Sequence, residues 1–211
     1  MIQISSFAFN PFQENTYVLH DETKECIIID PGCYTPLEQA ELSTFIESNE
    51  LKPVRLILTH CHIDHILGCK YISERYNLVS ETNKIEIPVF ENAERAAALF
   101  GIRLEKPSPP GKFIDENDEI TFGKSSLKIL FTPGHSPGSL CFYNKDQKFV
   151  IGGDVLFHGS IGRTDLPGGN FDTLISSIRE KLLPLGDDVT VYPGHGSETT
   201  IGFEKANNPF L

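Results

Sequence analysis

Residues 60–65, with the sequence His-Cys-His-Ile-Asp-His, constrain the fold of this chain more than any other segment. They follow residues 54–59, an apolar stretch of the length expected for a buried strand. Side chains two residues apart in an extended segment point the same way, so His60 and His62 are placed to bind one cation together. The Asp64-His65 pair begins a predicted helix and can turn toward a neighbouring cation. The chain is therefore expected to fold so that a buried strand ends at a metal site.

Three further ligand candidates stand on glycine-rich turns that each follow a predicted strand. They are His135 in Pro-Gly-His-Ser, Asp154 in Gly-Gly-Asp and His195 in Pro-Gly-His-Gly. Glycine allows tight or positive-φ turns and lets the backbone approach a site closely. Loops from several strands can thus converge on one rim, where a carboxylate oxygen of Asp154 would bridge two cations. The remaining ligands divide into two sets of three, which are His60, His62 and His135 for one cation and Asp64, His65 and His195 for the other.

The order of predicted elements is strands, helix, strand, helix, more strands, helix, strand, without strict βαβ alternation. Two sheets packed face to face with helices outside would bury these elements. At 211 residues the chain is expected to form one domain, residues 1–211. The first helix has Pro36 in its first turn, and its predicted apolar stripe consists of Leu37, Leu42, Phe45 and Ile46.

Two segments near the predicted metal site are assigned from weaker patterns. A single helix is predicted to start near Asp64, because Ile66, Cys69, Ile72 and Tyr76 recur at helical spacing. Residues 80–119 are interpreted as a surface excursion over one edge of the domain, with one helix at 91–100.

The formal net charge of −11 would repel phosphate backbones and anionic lipids, so neither nucleic acid nor membrane is an expected partner. No apolar run approaches the roughly 20 residues that span a bilayer, and the N-terminus lacks the pattern of a secretory signal. Five cysteines without a CxxC pair favour reduced thiols and a cytoplasmic location. The sequence favours no particular oligomeric state.

Several motifs, taken in order along nearly the whole chain, resemble the metallo-β-lactamase superfamily and especially its glyoxalase II-like branch. The resemblance implies a four-layer αβ/βα sandwich, an α/β fold of two mixed sheets with helices on the outer faces and metals on the rim between the sheets. The motifs are Asn15-Thr-Tyr-Val, Asp30-Pro-Gly, Thr59-His-Cys-His-Ile-Asp-His, Pro133-Gly-His, Gly153-Asp, Gly162-Arg-Thr-Asp-Leu-Pro-Gly-Gly and Pro193-Gly-His.

The resemblance implies a binuclear metallohydrolase that cleaves a small thioester of the S-lactoylglutathione type with a metal-bridging hydroxide. Two divalent ions are expected, with zinc favoured and iron or manganese as alternatives. Asp64 and Asp154 are assigned to the catalytic centre as well as to the ligand set. The chain is similar to small one-domain bacterial glyoxalase II-like hydrolases, which lack the C-terminal helical domain that binds glutathione in two-domain glyoxalase II.

Two residues outside the ligand set are given roles. Asp30 follows a buried strand and is expected to secure a turn or to orient a ligand histidine from behind. The resemblance places a cationic, substrate-binding residue at Arg163, whose guanidinium could hold a carboxylate bidentately. Asp165 stands where the two-domain enzymes carry Tyr. Three other candidates, His20, His158 and Cys61, are interpreted as spectators.

Other functions of the same superfamily are the alternatives. A mononuclear-iron persulfide dioxygenase-like oxidoreductase acting on glutathione persulfide shares the Gly-Arg-Thr-Asp stretch. His62 argues against flavin-linked di-iron oxygen reductases, which usually carry Glu at that position. Secreted β-lactamases lack His65 and have Cys in place of Asp154, so antibiotic hydrolysis is not expected. A non-enzymatic metal-binding protein is a third class, against which the complete ligand set argues.

Overall fold

Two six-stranded sheets form the centre of the protein in a computed structural model that describes residues 1–211. The first sheet has the strand order β1-β2-β3-β4-β5-β6, in which β3 to β6 are parallel. Its strands are β1 (Gln3–Phe9), β2 (Glu14–His20), β3 (Glu25–Ile29), β4 (Lys52–Ile57), β5 (Ser80–Thr82) and β6 (Lys112–Phe113).

The second sheet is built from strands of the C-terminal half of the chain. These are β7 (Glu119–Phe122), β8 (Ser125–Phe131), β9 (Leu140–Asn144), β10 (Phe149–Gly153), β13 (Thr190–Pro193) and β14 (Thr199–Thr200). Their order is β14-β13-β10-β9-β8-β7, with only the β10–β13 pair parallel. A separate hairpin joins β11 (Leu156–Phe157) to β12 (Ser160–Ile161).

Seven α-helices surround the sheets. They are α1 (Pro36–Ser48), α2 (Ile63–Ile66), α3 (Cys69–Tyr76), α4 (Ile87–Glu91), α5 (Ala93–Leu99), α6 (Phe171–Ser177) and α7 (Ile201–Asn207). A π-helical turn at Ile178–Leu182 and a 3₁₀ turn at Leu183–Leu185 continue α6. None of the helices has the length and apolar character needed to span a bilayer.

The apolar residues divide into layers that follow this architecture. Between the sheets, the alternating inward side chains of both sheets form one core, with Ile29 and Ile57 from the first sheet and Ile129 and Phe142 from the second. The outer face of each sheet is covered by helices, α1 and α3 on the first sheet and α6 on the second. This arrangement confirms the predicted four-layer αβ/βα sandwich. All five cysteines are buried and unpaired.

Helix α1 begins as predicted but buries a narrower face. Thr35 caps it, because its hydroxyl accepts a hydrogen bond from Glu38 N while the Glu38 carboxylate accepts one from Thr35 N. The prediction that Leu37 belongs to the apolar stripe is wrong, since its side chain is 84% exposed. Leu37 lies five residues before the buried Leu42, which at 3.6 residues per turn places it about 140° around the helix.

The single helix predicted after His65 is instead two short helices, α2 and α3, separated at Gly68. Gly68 N donates a hydrogen bond to Pro31 O over 2.7 Å. A Cβ atom at this position would overlap the Sγ of Cys33, so only glycine allows the chain to approach the loop after β3 this closely. The apolar residues keep their helical spacing on both sides of Gly68, so the sequence pattern does not reveal the break.

The interpretation of residues 80–119 as a surface excursion is wrong at its beginning. Strand β5 pairs in parallel with β4, and β6 pairs in parallel with β5, so the segment extends the first sheet. Ser80, Glu81 and Glu86 are buried although they are polar. Helix α5 lies within the predicted helix at 91–100.

Candidate metal centre

Seven predicted ligands meet at one rim of the sandwich, where strands of both sheets end. His60 and His62 lie between β4 and α2, and Asp64 and His65 belong to α2. The others follow strands of the second sheet, His135 after β8, Asp154 after β10 and His195 after β13. Of the seven, His62, Asp64 and His195 are partly exposed, and the other four are buried.

Three histidines form the first group of potential ligands. Nδ1 of His62 lies 2.8 Å from Nε2 of His135, which in turn lies 3.2 Å from Nε2 of His60. The ligand atoms of the three side chains all lie within 4.8 Å of one another. Their rings stand nearly perpendicular to one another, with interplanar angles of 85–86°. Three imidazole nitrogens therefore point at one small volume.

The hydrogen bonds behind these rings assign their tautomers. His135 Nδ1 donates to the carbonyl oxygen of Arg163 over 2.8 Å. His60 Nδ1 donates to the hydroxyl of Thr59 over 3.0 Å, because that hydroxyl uses its own proton to bond Asp30. Both Nε2 atoms consequently carry lone pairs and face each other at 3.2 Å. Such a pair is repulsive unless a cation lies between the nitrogens.

Asp64, His65 and His195 form the second group. His65 Nδ1 donates to Asp30 Oδ2 over 3.0 Å, and His195 Nδ1 donates to the carbonyl oxygen of Phe12 over 3.1 Å. Nε2 of each ring is therefore the nitrogen that is left to bind a cation. That of His195 lies 3.1 Å from Asp64 Oδ2. Burial lowers the pKa of His195, but Asp64 and Asp154 outweigh burial and raise it, so a proton occupies this position until a cation replaces it. This group, too, has the chemistry of a cation site.

Asp154 lies between the two groups. Its Oδ2 atom is 3.4 Å from Nε2 of His135 in the first group and 3.5 Å from Nε2 of His195 in the second. Its Oδ1 atom is 3.4 Å from Nε2 of His65. That Oδ1 atom and His65 Nε2 are both buried without a hydrogen-bond partner. Buried polar atoms are rarely left unpaired, so divalent cations fit the residues present.

Burial and neighbouring charges shift histidine pKa values in opposite directions in the two groups. Burial lowers the pKa of His62 to about 3 and that of His60 well below its ordinary value, and neighbouring histidines add to both shifts. These two rings are therefore neutral at neutral pH, as cation binding requires. Burial also lowers the pKa of His65, but the carboxylates of Asp154 and Asp64 outweigh it and hold the value well above the ordinary one. A cation bound there takes the place of a proton.

Asp30 lies behind the ligands and forms hydrogen bonds with Thr59 and His65. Its Oδ1 accepts a hydrogen bond from Thr59 N over 2.7 Å, and its Oδ2 accepts from the Thr59 hydroxyl over 2.5 Å and from His65 Nδ1. Asp30 thus fixes the tautomer of His65 directly and that of His60 through Thr59. This is the orienting position that the sequence predicts for it.

The start of β2 supports the loop of His195, a role that sequence reasoning missed. The Asn15 amide donates to Pro193 O over 3.0 Å and to Gly196 O over 2.9 Å. The Tyr17 hydroxyl also donates to Pro193 O, over 2.7 Å. The motif Asn15-Thr-Tyr-Val carried a signal of this role, since it was one of the stretches that resembled the family.

Arg163 lies beside the centre, but its side chain is engaged elsewhere. Its carbonyl oxygen accepts the proton of His135, while its guanidinium forms two hydrogen bonds with the carboxylate of Asp165, at 2.7 and 2.8 Å. The Arg163 side chain is 55% exposed.

Of the predicted spectators, His158 stacks on Phe203, with ring centroids 4.6 Å apart, and Cys61 points toward Thr82.

Comparison with known proteins identifies relatives that match along nearly the whole chain. Hydroxyacylglutathione hydrolase GloC of Haemophilus influenzae is 40% identical over 202 residues, which cover 95% of this chain and 93% of that protein. The probable metallo-hydrolase YqgX of Bacillus subtilis is also 40% identical over 202 residues, with the same coverage of 95% and 93%.

Solved structures agree with the fold. The di-iron-bound form of TTHA1623 superposes with a TM-score of 0.89 at 35% identity, covering 98% of this chain and 100% of that one. The B3 metallo-β-lactamase BLEG-1 superposes with a TM-score of 0.87 at 34% identity, covering 99% of both chains.

The model of the metallo-β-lactamase superfamily matches residues 9–195, a range that begins in β1 and ends at the last predicted ligand. Both relatives are named as hydrolases. The fold implies divalent metal ions, and the two ligand groups fit them. The chain therefore belongs to the metallo-β-lactamase superfamily, as a metallo-hydrolase.

Proposed function

We propose that the protein hydrolyses a small thioester of the S-lactoylglutathione type at a centre of two divalent cations. His60, His62 and His135 hold one cation, and Asp64, His65 and His195 hold the other, with Asp154 between them. The observation that carries the proposal is the convergence of imidazole lone pairs and carboxylate oxygens at one rim, with His65 Nε2 and Asp154 Oδ1 buried and unpaired.

Two bound cations would supply a water molecule that is deprotonated near neutral pH and would polarise the substrate carbonyl. Asp64 and Asp154 contribute negative charge that would allow two cations to lie close together, and their oxygens would be available to accept hydrogen bonds from the attacking water. The protons of His135 and His195 are held on Nδ1 by backbone carbonyl oxygens. These rings are therefore poor general acids.

A thioester suits such a centre, because its thiolate leaving group departs without much help from an acid. The similarity to a hydroxyacylglutathione hydrolase supports a glutathione thioester as substrate. We assign the binding of a substrate carboxylate to Arg163, whose backbone is fixed at the rim by His135. Substrate binding then requires the guanidinium to exchange Asp165 for the substrate.

A second candidate is the opening of a β-lactam ring, which the sequence motifs did not lead us to expect. The 34% identity to the B3 metallo-β-lactamase BLEG-1 supports it. Both reactions are hydrolytic attacks on an acyl carbon, and they differ in the leaving group. The oxidoreductase alternative, which acts on glutathione persulfide with a single iron, gains less support, because His65 and His195 leave a second set of Nε2 atoms for a second cation.

The deciding experiment has two parts. Elemental analysis of protein purified without chelator is expected to give two divalent ions per chain. The zinc-, iron- and manganese-loaded forms are then assayed against glutathione thioesters, simple thioesters, β-lactams and, for oxygen uptake, glutathione persulfide. Thioester turnover no better than that of the free metal would overturn the proposal, and iron-dependent oxygen uptake would favour the oxidoreductase.

A further inference from the structure

Glu86 is a buried carboxylate that belongs to neither group of potential ligands. It ends the short 3₁₀ turn Lys84–Glu86, between β5 and α4, and its side chain has no exposure to solvent. A buried carboxylate needs partners that compensate for the loss of water. Its partners are therefore informative about what it does.

All three partners of the Glu86 carboxylate come from loops of the metal centre. Oε2 accepts a hydrogen bond from Cys61 N over 2.8 Å. Oε1 accepts one from the Ser136 hydroxyl over 2.7 Å and one from Gly138 N over 2.6 Å. Cys61 lies between two ligand histidines of the first sheet, and Ser136 directly follows the ligand histidine of the β8–β9 loop. A single carboxylate therefore connects the two loops that carry the three-histidine group.

The packing around this connection is close. A Cβ atom at Gly138 would lie 2.9 Å from Glu86 Cγ and 3.0 Å from both Glu86 N and Oε1. The β8–β9 loop therefore rests directly on the turn that carries Glu86. A carboxylate is also the right group for this position, since two of its partners are backbone N–H groups that only donate. Glutamine would turn an NH₂ group toward at least one donor and leave that donor unpaired.

We propose that Glu86 is a positioning residue, which fixes the separation of the two loops and thereby sets the cation affinity of His60, His62 and His135. The inference rests on the two-cation centre proposed above. Nδ1 of His62 and Nε2 of His135 lie 2.8 Å apart on these different loops. A small displacement of either loop would prevent the two nitrogens from binding the same cation. The segment that extends the first sheet thus also determines the metal centre.

The test compares Glu86→Gln with Glu81→Gln. Glu81 is a buried carboxylate of the same segment, but its partners are Arg55 and Lys112, away from the ligand loops. Zinc dissociation constants for both sites are measured by competition with a chromophoric chelator. Loss of an outer hydrogen-bonding partner typically weakens metal affinity about 10- to 100-fold. Glu86→Gln is expected to weaken one of the two sites by that factor, while Glu81→Gln leaves both unchanged.

A double-mutant cycle identifies the affected site. In a His62→Ala background, which already lacks a ligand of the three-histidine group, Glu86→Gln is expected to cause no further loss of affinity at the remaining site. Ser136→Ala removes one of the three hydrogen bonds and provides a milder variant if Glu86→Gln does not fold. It is expected to weaken the same site several-fold.

Three outcomes separate the inference from the proposed function. Equal zinc affinities for wild type and Glu86→Gln would overturn the role of Glu86 while leaving the two-cation centre intact. Equal losses in Glu86→Gln and Glu81→Gln would also overturn it, because they would indicate general destabilisation. Failure of the wild-type protein to bind two cations would instead count against the proposed function.

Discussion

The carboxylate of Asp30 and the imidazole of His65 are joined by a 3.0 Å hydrogen bond from Nδ1 to Oδ2. This bond keeps the proton of His65 on the nitrogen that faces away from the metal centre. The ring can then present its lone pair to a cation, and the carboxylate behind it increases its basicity. A single buried acid thus determines which nitrogen of His65 is available to bind metal.

Asp30→Asn is expected to weaken zinc binding by the Asp64, His65 and His195 group about 10- to 100-fold. The amide that replaces the carboxylate cannot accept all three hydrogen bonds of Asp30, and its NH₂ group favours the tautomer of His65 that blocks Nε2. Zinc competition measures the effect. Asp21→Asn is the matched control, because Asp21 and Asp30 are both 2% exposed but Asp21 bonds Thr23 and Ser125 instead of a ligand. Equal affinities in wild type and Asp30→Asn would contradict the prediction.

Asp154→Asn is expected to lower metal content and hydrolytic activity together. The substitution removes the negative charge of the one side chain that faces both ligand groups, at 3.4 Å from His135 and 3.5 Å from His195. Elemental analysis and the thioester assay check this on the same preparation. Full activity in this variant would argue strongly against a two-cation centre.

Removal of the cations is expected to destabilise the fold, because the ligand lone pairs then repel one another. A ligand present at 1,000 times its dissociation constant stabilises a protein by about 4 kcal/mol per site. For a chain of this size that corresponds to a rise in Tm of roughly 8–16 °C. Thermal unfolding with a chelator and with excess zinc measures the difference. A Tm that does not respond to zinc would indicate that no site of this affinity exists.

Phe142→Ala is expected to lower the free energy of unfolding by roughly 3–5 kcal/mol, as is usual for a large buried aromatic side chain. Phe142 lies on β9 with no exposure, in the core between the two sheets. Phe171→Ala provides the comparison, since its ring is 48% exposed at the start of α6. Urea unfolding of both variants in excess zinc gives the two values, and similar losses would contradict the assigned core.

Acid is expected to remove the stabilising effect of Glu81. Burial raises the pKa of this carboxyl, but hydrogen bonds from Arg55 and Lys112 outweigh burial and bring it below the ordinary value of 4.5. A lowered folded-state pKa contributes stability that is present above the unfolded-state value and is lost as the pH falls through the folded-state value. The stability difference between wild type and Glu81→Gln should therefore be full at pH 7 and shrink below about pH 4.5. Urea titrations of chelator-treated protein at several pH values measure it, and a pH-independent difference would contradict the assignment.

The sequence predicts the layers and most strands, because alternating and continuous apolar runs report which faces are buried. It also predicts that seven ligand candidates follow strands, and the structure brings all seven to one rim. It does not predict the break at Gly68, where contact with a distant loop overrides helical periodicity. Leu37 is a similar case, since an apolar residue in a helix need not lie on its buried face.

The role of Glu86 could not be predicted from the sequence for a different reason. Its partners lie 25 to 52 residues away along the chain, so no local pattern marks it. A glutamate in a polar stretch looks like a solvated side chain until the packing of the segment is known. Long-range hydrogen bonds of this kind are the part of a site that only a structure reveals.

Glu14, the first residue of β2, and His195 form an isolated antiparallel β-bridge, by which the first sheet meets a loop of the second. Four of the seven ligands belong to the first half of the chain and three to the second. A slide of one sheet against the other by a single residue, about 3.3 Å, would move these two sets out of alignment. Both cation sites can be complete only when the two sheets are correctly aligned. Cation binding therefore reports on the alignment of the sheets.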